Sequence, residues 1–164
     1  MNALTADLVK SSARSLGADL VGIASAESMN ENPPDPRWPQ TPDRLWSECK
    51  SVIVVALHMP LGTYRAQNAL VKRMTPHYVM NRIDQITLDL TYELEKNGAY
   101  AFPVPQQVTD TTLKRGTYGP ISLRHAAVEA GLGTLGLNMM LVTPQYGPRV
   151  YLGAVMTNVD LEHD

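Results

Sequence analysis

The apolar residues of this chain follow two patterns, and each pattern predicts a different element. Residues 51–57, SVIVVAL, are continuously apolar and rich in valine, which is typical of a central strand buried on both faces. Further along, apolar positions recur three or four apart, as on one face of an α-helix. They are Val79, Ile83, Ile86, Leu90 and Leu94. Thr75 could cap this helix, Pro76 suits its first position, and Gly98 would end it.

Shorter elements surround these two. The sequence predicts helices over residues 3–16 and 123–130 and strands over residues 19–24, 99–104, 137–143 and 150–158. The last two strands are joined by a short turn, Gln145-Tyr146-Gly147-Pro148, so we expect them to pair as an antiparallel hairpin. Because helices and strands are interspersed and a hairpin is expected, the pattern indicates an α+β fold. Its central sheet should be mixed or antiparallel and flanked by helices.

Two long segments interrupt the pattern. Residues 27–42 contain five prolines, which lack an N–H and fix φ, so no regular ladder is expected there. Residues 106–119 are polar and contain Gly116 and Gly119, which predicts a second loop. Loops of this length are uncommon inside a domain unless they have a function. The proline-rich segment is therefore either a plain connector or a flap over a pocket.

Composition narrows the class of protein. The 164 residues fit one domain, and a formal net charge of -2 without a basic stripe argues against nucleic acid as the main partner. Cys49 is the only cysteine, which allows no internal disulfide and suits a reducing compartment. The first residues lack the features of a signal peptide, and no apolar run reaches the roughly 20 residues of a membrane span. We therefore expect a cytoplasmic protein without membrane contact.

The letters of residues 131–136, GLGTLG, match the dinucleotide fingerprint G-x-G-x-x-G, but their context does not. That fingerprint lies between a strand and a following helix, so that a pyrophosphate meets the helix N-terminus. Here a predicted helix comes first and a strand follows. Two interpretations remain: a helix stop with a tight turn, or a backbone without bulk against which a large flat ligand can lie.

Other chemistry is weakly indicated. The four histidines are far apart in sequence, so no zinc site is predicted, and no nucleophile elbow, phosphate loop or carboxylate dyad occurs. His125 is either a structural histidine or a ligand contact. Arg149 either faces solvent or binds an anionic group through its guanidinium. Tyr118 and Asn138 are further polar residues near the glycines or the predicted hairpin.

Residues 125–158 resemble the cobalamin-binding region shared by epoxyqueuosine reductases and reductive dehalogenases. In that family an alanine-rich helix leads to AGLG, a further glycine, a strand, a TP-x-x-G-x-R turn and a strand ending in LG-x-V-x-T. The matching residues here are Ala130 to Gly133, Gly136, Thr143, Pro144, Gly147, Arg149, Leu152, Gly153, Val155 and Thr157. The likeness covers most of the chain, but only about the last 40 residues are specific.

This resemblance implies a nitroreductase-like α+β fold and a single cobalamin-binding domain over residues 1–164. It also implies a corrinoid held with its base off, mostly by backbone groups, without a histidine ligand to cobalt. The cofactor-binding residues that we predict are Thr117, Gly119, His125, Gly131, Gly133, Thr134, Leu135, Gly136, Asn138 and Arg149. A nitroreductase-like homodimer follows by analogy only.

The chain departs from the family in two ways. The family continues into a cysteine-rich domain with iron–sulfur clusters, whereas this sequence ends at Asp164, so [4Fe-4S] clusters and an internal electron supply would require a further domain. Epoxyqueuosine reductases place an acidic proton donor where this sequence has Thr117 beside Tyr118. Reductive dehalogenases use a tyrosine in the same region, so Tyr118 is the predicted catalytic acid.

The sequence therefore leaves three functions open. The first is the corrinoid-binding domain of a cobalamin-dependent reductase that takes electrons from an external donor. The second is a cobalamin carrier or chaperone without catalysis, and the third is a flavin-binding nitroreductase relative. No protein-bound metal site is predicted.

Overall fold

The computed structural model of the chain describes residues 4–106, 108–114 and 116–164. Four strands form the central sheet: β1 (Leu20–Ser25), β2 (Ser51–His58), β3 (Ala101–Val104) and β6 (Val150–Thr157). They lie in the order β1-β2-β6-β3, and every neighbouring pair is antiparallel. A separate small ribbon pairs β4 (Thr134–Leu135) with β5 (Leu141–Val142).

Helices cover both faces of the sheet. They are α1 (Ala6–Ser15), α2 (Ala26–Glu31), α3 (Pro42–Leu45), α4 (Leu61–Arg65), α5 (Ala69–Lys96) and α6 (Leu123–Glu129). Helices α1 and α5 pack on one face, and α2 and α6 pack on the other. The α+β class predicted from the sequence is confirmed, with an antiparallel sheet. None of the helices in the described part of the chain combines the length and apolar character that a bilayer span requires.

The predicted central strand is β2, whose side chains alternate between the two cores. Val52 and Val54 pack on the α6 side, while Ile53 and Val55 pack on the α5 side, and all four are at most 1% exposed. A strand that is buried on both faces has no polar positions, which explains the unbroken apolar run.

The first predicted helix, over residues 3–16, is observed as α1. Residue 3 lies outside the described residues. Thr5 caps the helix by accepting a hydrogen bond from the Leu8 N–H at 3.3 Å, and Gly17 follows its end with φ of 106°. A positive φ is where glycine is favoured, so the end of α1 agrees with the sequence.

Helix α5 begins earlier than the sequence predicts. The cap is Asn68, which accepts from the Leu70 N–H at 2.7 Å, and Pro76 lies inside the helix. The prediction that Thr75 caps this helix is wrong, because its hydroxyl instead donates to the Val71 carbonyl at 2.9 Å. The apolar stripe of α5 does face the sheet, as predicted, and Gly98 ends the helix with φ of 86°.

The predicted hairpin of residues 137–143 with residues 150–158 is not formed. Strand β6 pairs with β2 and β3, whereas β5 is a two-residue strand that pairs with β4. The turn before β6 is closed within itself by reciprocal hydrogen bonds between Thr143 and Gly147. Strand β6, residues 150–157, thus lies between two neighbouring strands in the interior of the sheet. A hairpin with β5 alone would leave this apolar strand with one neighbour.

The proline-rich segment is partly helical. Its first residues form α2, with the Ser25 hydroxyl accepting from the Ser28 N–H at 3.2 Å. Prolines begin only at Pro33, after α2 has ended, and the following residues run irregularly to α3. In the second loop, Gln107 and Arg115 lie outside the described residues, and a short 3₁₀ turn forms at Thr111–Leu113.

The outer edge of β1 is met by Asp164. The Ile23 N–H donates to the Asp164 carboxylate at 2.9 Å, and the Asp164 N–H donates to the Ile23 carbonyl at 3.1 Å. Lys10 of α1 forms an ion pair with the same carboxylate. Asp164 thus occupies the middle of an otherwise open sheet edge.

Candidate functional site

A cavity of about 670 Å³ lies between the two long loops and the start of α6. Four of the predicted site residues line it: Thr117, Tyr118, Gly119 and His125. The opposite walls come from Pro34 and Gln40 of the proline-rich segment, from the start of the second loop, and from Met139. The proline-rich segment is therefore part of a pocket wall and not only a connector.

Three consecutive backbone carbonyl groups, those of residues 118–120, each accept a hydrogen bond that holds the backbone at Tyr118 in place. The Tyr118 carbonyl accepts from the Asp110 N–H at 2.8 Å. The Gly119 carbonyl accepts from the Gln40 side-chain amide at 2.8 Å. The Pro120 carbonyl accepts from an Arg44 Nη at 2.7 Å. We call residues 118–120 with these three donors the carbonyl clamp.

Arg44 is the centre of the carbonyl clamp. Its guanidinium also donates to the Pro39 carbonyl at 2.9 Å and to the Thr112 hydroxyl at 3.1 Å. It forms an ion pair with Asp110 at 2.7 Å, in which the Asp110 side chain is 11% exposed. The hydrogen bond from the Thr112 hydroxyl and the neighbouring Arg44 hold the pKa of Asp110 below its usual value. One side chain from α3 therefore joins both long loops around the cavity.

His125 lines the cavity at the start of α6. Burial lowers its pKa, and the adjacent positive charge of Arg124 lowers it further. Its Nδ1 lies 2.6 Å from the hydroxyl of the buried Ser122, so this ring nitrogen is engaged within the protein. Ser122 directly precedes α6, but its hydroxyl makes this contact and no cap hydrogen bond.

The predicted residues from Gly133 to Asn138 lie in or next to the β4–β5 ribbon. Its turn is closed by hydrogen bonds from Gly136 N–H to the Met140 carbonyl and from Met139 N–H to the Gly136 carbonyl, both at 2.9 Å. Thr134 and Leu135 form β4, and Asn138 lies in the turn. Arg124 donates to the Met139 carbonyl at 2.6 Å, which attaches the ribbon to α6 beside the cavity.

Close packing explains Gly133 without any ligand. A Cβ there would lie 2.3 Å from the Val142 carbonyl oxygen, so a side chain is excluded by the ribbon itself. Gly136 differs, since its nearest neighbour would be the flexible side chain of Asn138 at 3.3 Å. The two glycines therefore have different reasons for lacking a side chain.

Seven of the eleven predicted site residues are not among those that line the cavity at Tyr118: Gly133, Thr134, Leu135, Gly136 and Asn138 of the ribbon segment, together with Gly131 and Arg149. Gly131, with φ of 68°, borders a smaller cavity of about 180 Å³ together with Asp19 and Pro144. Arg149 donates to the Met59 carbonyl at 2.9 Å and is only partly exposed, so its guanidinium is used to hold the chain between β2 and α4.

The described residues contain no group of three His, Cys, Asp or Glu side chains that could hold a metal ion. Cys49 is buried, and burial raises its pKa to about 11. Sequence reasoning missed Gln40 and Arg44, which are far from Tyr118 in sequence, and Asp110, which lies in the same loop. In the sequence, these three residues stand out only as polar residues in or beside the two predicted loops.

Comparisons with known proteins agree with the resemblance seen in the sequence. No family model matches the chain. An epoxyqueuosine reductase from Bacillus anthracis is 30% identical over 172 residues, covering 92% of this chain and 44% of that protein. A tetrachloroethene reductive dehalogenase from Desulfitobacterium hafniense is 30% identical over 115 residues, covering 70% of this chain and 19% of that protein.

Solved structures of the same two kinds share the fold. Epoxyqueuosine reductase from Streptococcus thermophilus has a TM-score of 0.67 at 18% identity, covering 98% of this chain and 48% of its own. A reductive dehalogenase whose structure suggests a mechanism for B12-dependent dehalogenation has a TM-score of 0.63 at 22% identity, covering 95% of this chain and 20% of its own.

A third structure bears on the partners. It is an epoxyqueuosine reductase solved with an epoxyqueuosine-modified tRNA stem loop, with a TM-score of 0.64 at 23% identity and covering 96% of this chain and 46% of its own. The expectation that nucleic acid is not a main partner therefore gains no support from the relatives.

The chain spans about half the length of the curated epoxyqueuosine reductases that it matches, from 44% to 53% for the proteins from Bacillus anthracis and Gloeobacter violaceus. Sequence and fold point to the same two groups of proteins. The chain is a homologue of the epoxyqueuosine reductases and the reductive dehalogenases.

Proposed function

We propose that this chain binds cobalamin at the cavity beside Tyr118, as the cofactor domain of a cobalamin-dependent reductase. The observation that carries the proposal is the convergence of Thr117, Tyr118, Gly119 and His125 on one cavity of about 670 Å³. These four are among the eleven site residues to which the sequence and its family pattern point without reference to positions in space. A relative of the chain is a B12-dependent reductive dehalogenase.

The chemistry of the cavity fits a corrinoid. A corrin ring carries its own four nitrogen ligands for cobalt, so the protein needs no cluster of metal-binding side chains, and none is found among the described residues. The wall at residues 116–119 includes two glycines, and a Cβ at Gly116 would meet no atom within 4 Å. Met139 of the ribbon lies on the cavity wall. Three further apolar side chains of the ribbon are also exposed and add apolar surface beside it: Leu137, Met140 and Val142.

The residues have separate roles in this proposal. The backbone of residues 117–119 and the β4–β5 ribbon hold the cofactor, and the carbonyl clamp fixes that backbone. When bound and reduced, cobalamin supplies the nucleophilic or reducing chemistry. Tyr118 is the proton donor. Electrons reach the cofactor from outside residues 1–164, since the single Cys49 of this segment cannot ligate an iron–sulfur cluster. We also propose that the fold is nitroreductase-like.

The binding test is a titration of the purified chain with hydroxocobalamin, followed by its visible spectrum. We expect a spectral change that saturates at micromolar protein. Gly116→Trp places a bulky side chain on the cavity wall and should weaken binding at least tenfold. Gly62→Trp is a matched control, because a Cβ at Gly62 also meets no atom within 4 Å, but Gly62 lies in α4. No spectral change with the parent chain, or equal affinity of both variants, would contradict the proposal.

A second proposed function is a cobalamin carrier without catalysis, because residues 1–164 contain one cysteine, which cannot by itself ligate an iron–sulfur cluster. The two functions separate when holo-protein is given a strong reductant and a halogenated or epoxide substrate. Turnover that is lost in Tyr118→Phe supports the reductase. Tight binding without turnover supports the carrier, and a yellow copurifying chromophore would instead indicate flavin.

A further inference from the structure

Helix α5 carries two apolar faces. Its inner face packs against the sheet through Ile83, Ile86, Leu90 and Leu94, each at most 1% exposed. A second set of large apolar side chains on the same helix is between 37% and 66% exposed. These are Leu70, Val71, Met74, Tyr78, Leu88 and Tyr92. At about 100° per residue, the second set lies roughly 150° around the helix from the first, so the protein's own sheet cannot cover it.

The outer face has the spacing of a helix-pairing seam. Starting at Val71, its positions alternate in steps of three and four residues, which is the a/d pattern of a heptad. The positions are Val71, Met74, Tyr78, Asn81, Gln85, Leu88 and Tyr92. Asn81 and Gln85 are exposed and lie at the centre of the seam, with apolar positions on either side.

Charge divides α5 into two halves. The first half carries Lys72, Arg73 and Arg82 and no acidic residue. The second half carries Asp84, Asp89, Glu93 and Glu95, offset only by Lys96. Positive charge near a helix N-terminus and negative charge near its C-terminus oppose the helix macrodipole, so this arrangement disfavours an isolated helix. A neighbouring helix of opposite direction would compensate both ends.

We propose that the outer face of α5 is a self-association surface on which two copies of this chain pair with their α5 helices antiparallel. The two-fold axis then crosses the outer face at the level of Ile83 along the helix. Asn81 faces Gln85 of the second copy, so the polar positions meet each other. Tyr78 then faces Leu88, and Met74 faces Tyr92. The basic half of each helix lies along the acidic half of the other, whereas a parallel pair would place like charges together.

The seam is small, which sets the expected affinity. From Val71 to Tyr92 the helix rises about 32 Å, and a helix is about 10 Å wide. A contact of about 320 Å² on each copy is smaller than a standard specific interface, so we expect a weak, transient dimer that dissociates in the upper micromolar range. Both sheet faces remain covered in this arrangement, because only the outer side of α5 is used.

Sedimentation equilibrium of the full 164-residue chain tests the association and needs no cofactor, so its result is separate from cobalamin binding. We expect a monomer–dimer equilibrium that weakens at least tenfold in Tyr78→Glu. Tyr100→Glu is the matched control, since Tyr100 is 68% exposed but lies outside α5, and it should not change association. Tyr78→Lys should weaken the dimer less than Tyr78→Glu, because position 78 faces the acidic half. A chain that stays monomeric to millimolar concentration overturns the proposal.

Cysteine pairs test the orientation. In a background with the buried Cys49 replaced by alanine, Tyr78→Cys with Leu88→Cys should form a disulfide-linked dimer under mild oxidation. The single variant Tyr78→Cys should not, because two copies of position 78 lie far apart in the antiparallel pair. Efficient cross-linking of the single variant would show a parallel pair and overturn the proposal.

Discussion

The two regions that build the candidate site are held in opposite ways. The backbone at Tyr118 is fixed by hydrogen bonds from Gln40 and Arg44, which are distant in sequence, and from Asp110 of the same loop. The β4–β5 ribbon is fixed by local contacts, above all the close approach of Gly133 to β5. A polar clamp depends on charge and pH, whereas a close backbone contact depends only on shape. The cavity is therefore supported by hydrogen bonds and charge, and the ribbon beside it is supported by close backbone packing.

The largest expected effect concerns shape. Gly133→Ala places a methyl group 2.3 Å from the Val142 carbonyl oxygen, and backbone has to move to accept it. We expect a loss of about 3 kcal/mol in the free energy of unfolding, measured by urea denaturation. Gly136→Ala is the control and should cost less than about 1 kcal/mol, because a side chain can move away. Equal losses in the two variants would show that the ribbon is not organised by this contact.

A smaller effect is expected from the clamp. Arg44→Met removes the charged partner of Asp110 and the donor to the Pro120 carbonyl while keeping much of the side chain's bulk. We expect a loss of about 2 kcal/mol in the free energy of unfolding. Arg65→Met, at an exposed position of α4, should leave stability unchanged. Cobalamin affinity should fall in Arg44→Met beyond what its stability explains, and it should stay unchanged in Arg65→Met.

The smallest effect is a dependence on acid. The pKa of Asp110 is lowered in the folded protein by the Thr112 hydroxyl and by Arg44. Its stabilising contribution is therefore complete above the unfolded value of about 3.9 and is lost as pH falls through the folded pKa. Urea denaturation between neutral pH and pH 3 should show a shallower acid-side decline for Asp110→Asn than for the parent. An unchanged decline would mean that the clamp carries no pH dependence.

Local patterns are enough to predict much of the fold. Ile53 and Val55 alternate with Val52 and Val54 in a run that only a doubly buried strand explains, and the inner stripe of α5 follows directly from helical spacing. The predicted start of α5 is wrong because the prediction placed Pro76 in the first turn, where proline is favoured, whereas the helix begins at Ala69. A partly exposed Pro76 costs one hydrogen bond, and the helix continues through it.

The pairing of β6 could not be derived from its neighbours in sequence. A short turn favours a hairpin, but residues 150–157 are apolar enough to be buried between β2 and β3, and burial outweighs proximity. For the same reason the site is only half visible in the sequence. Tyr118 and His125 lie on a recognisable segment, whereas Arg44 reaches the loops around the cavity only after the chain has folded.

The contact between Asp164 and Ile23 has a consequence for behaviour at high concentration. An exposed strand border offers unpaired amide groups to which a foreign β-segment can add. Here one amide and one carbonyl in the middle of that border are already engaged, and a carboxylate beside Lys10 adds charge to it. Ordered fibrillar stacking through β1 would first have to displace this group, so the protein carries its own protection against that route of precipitation.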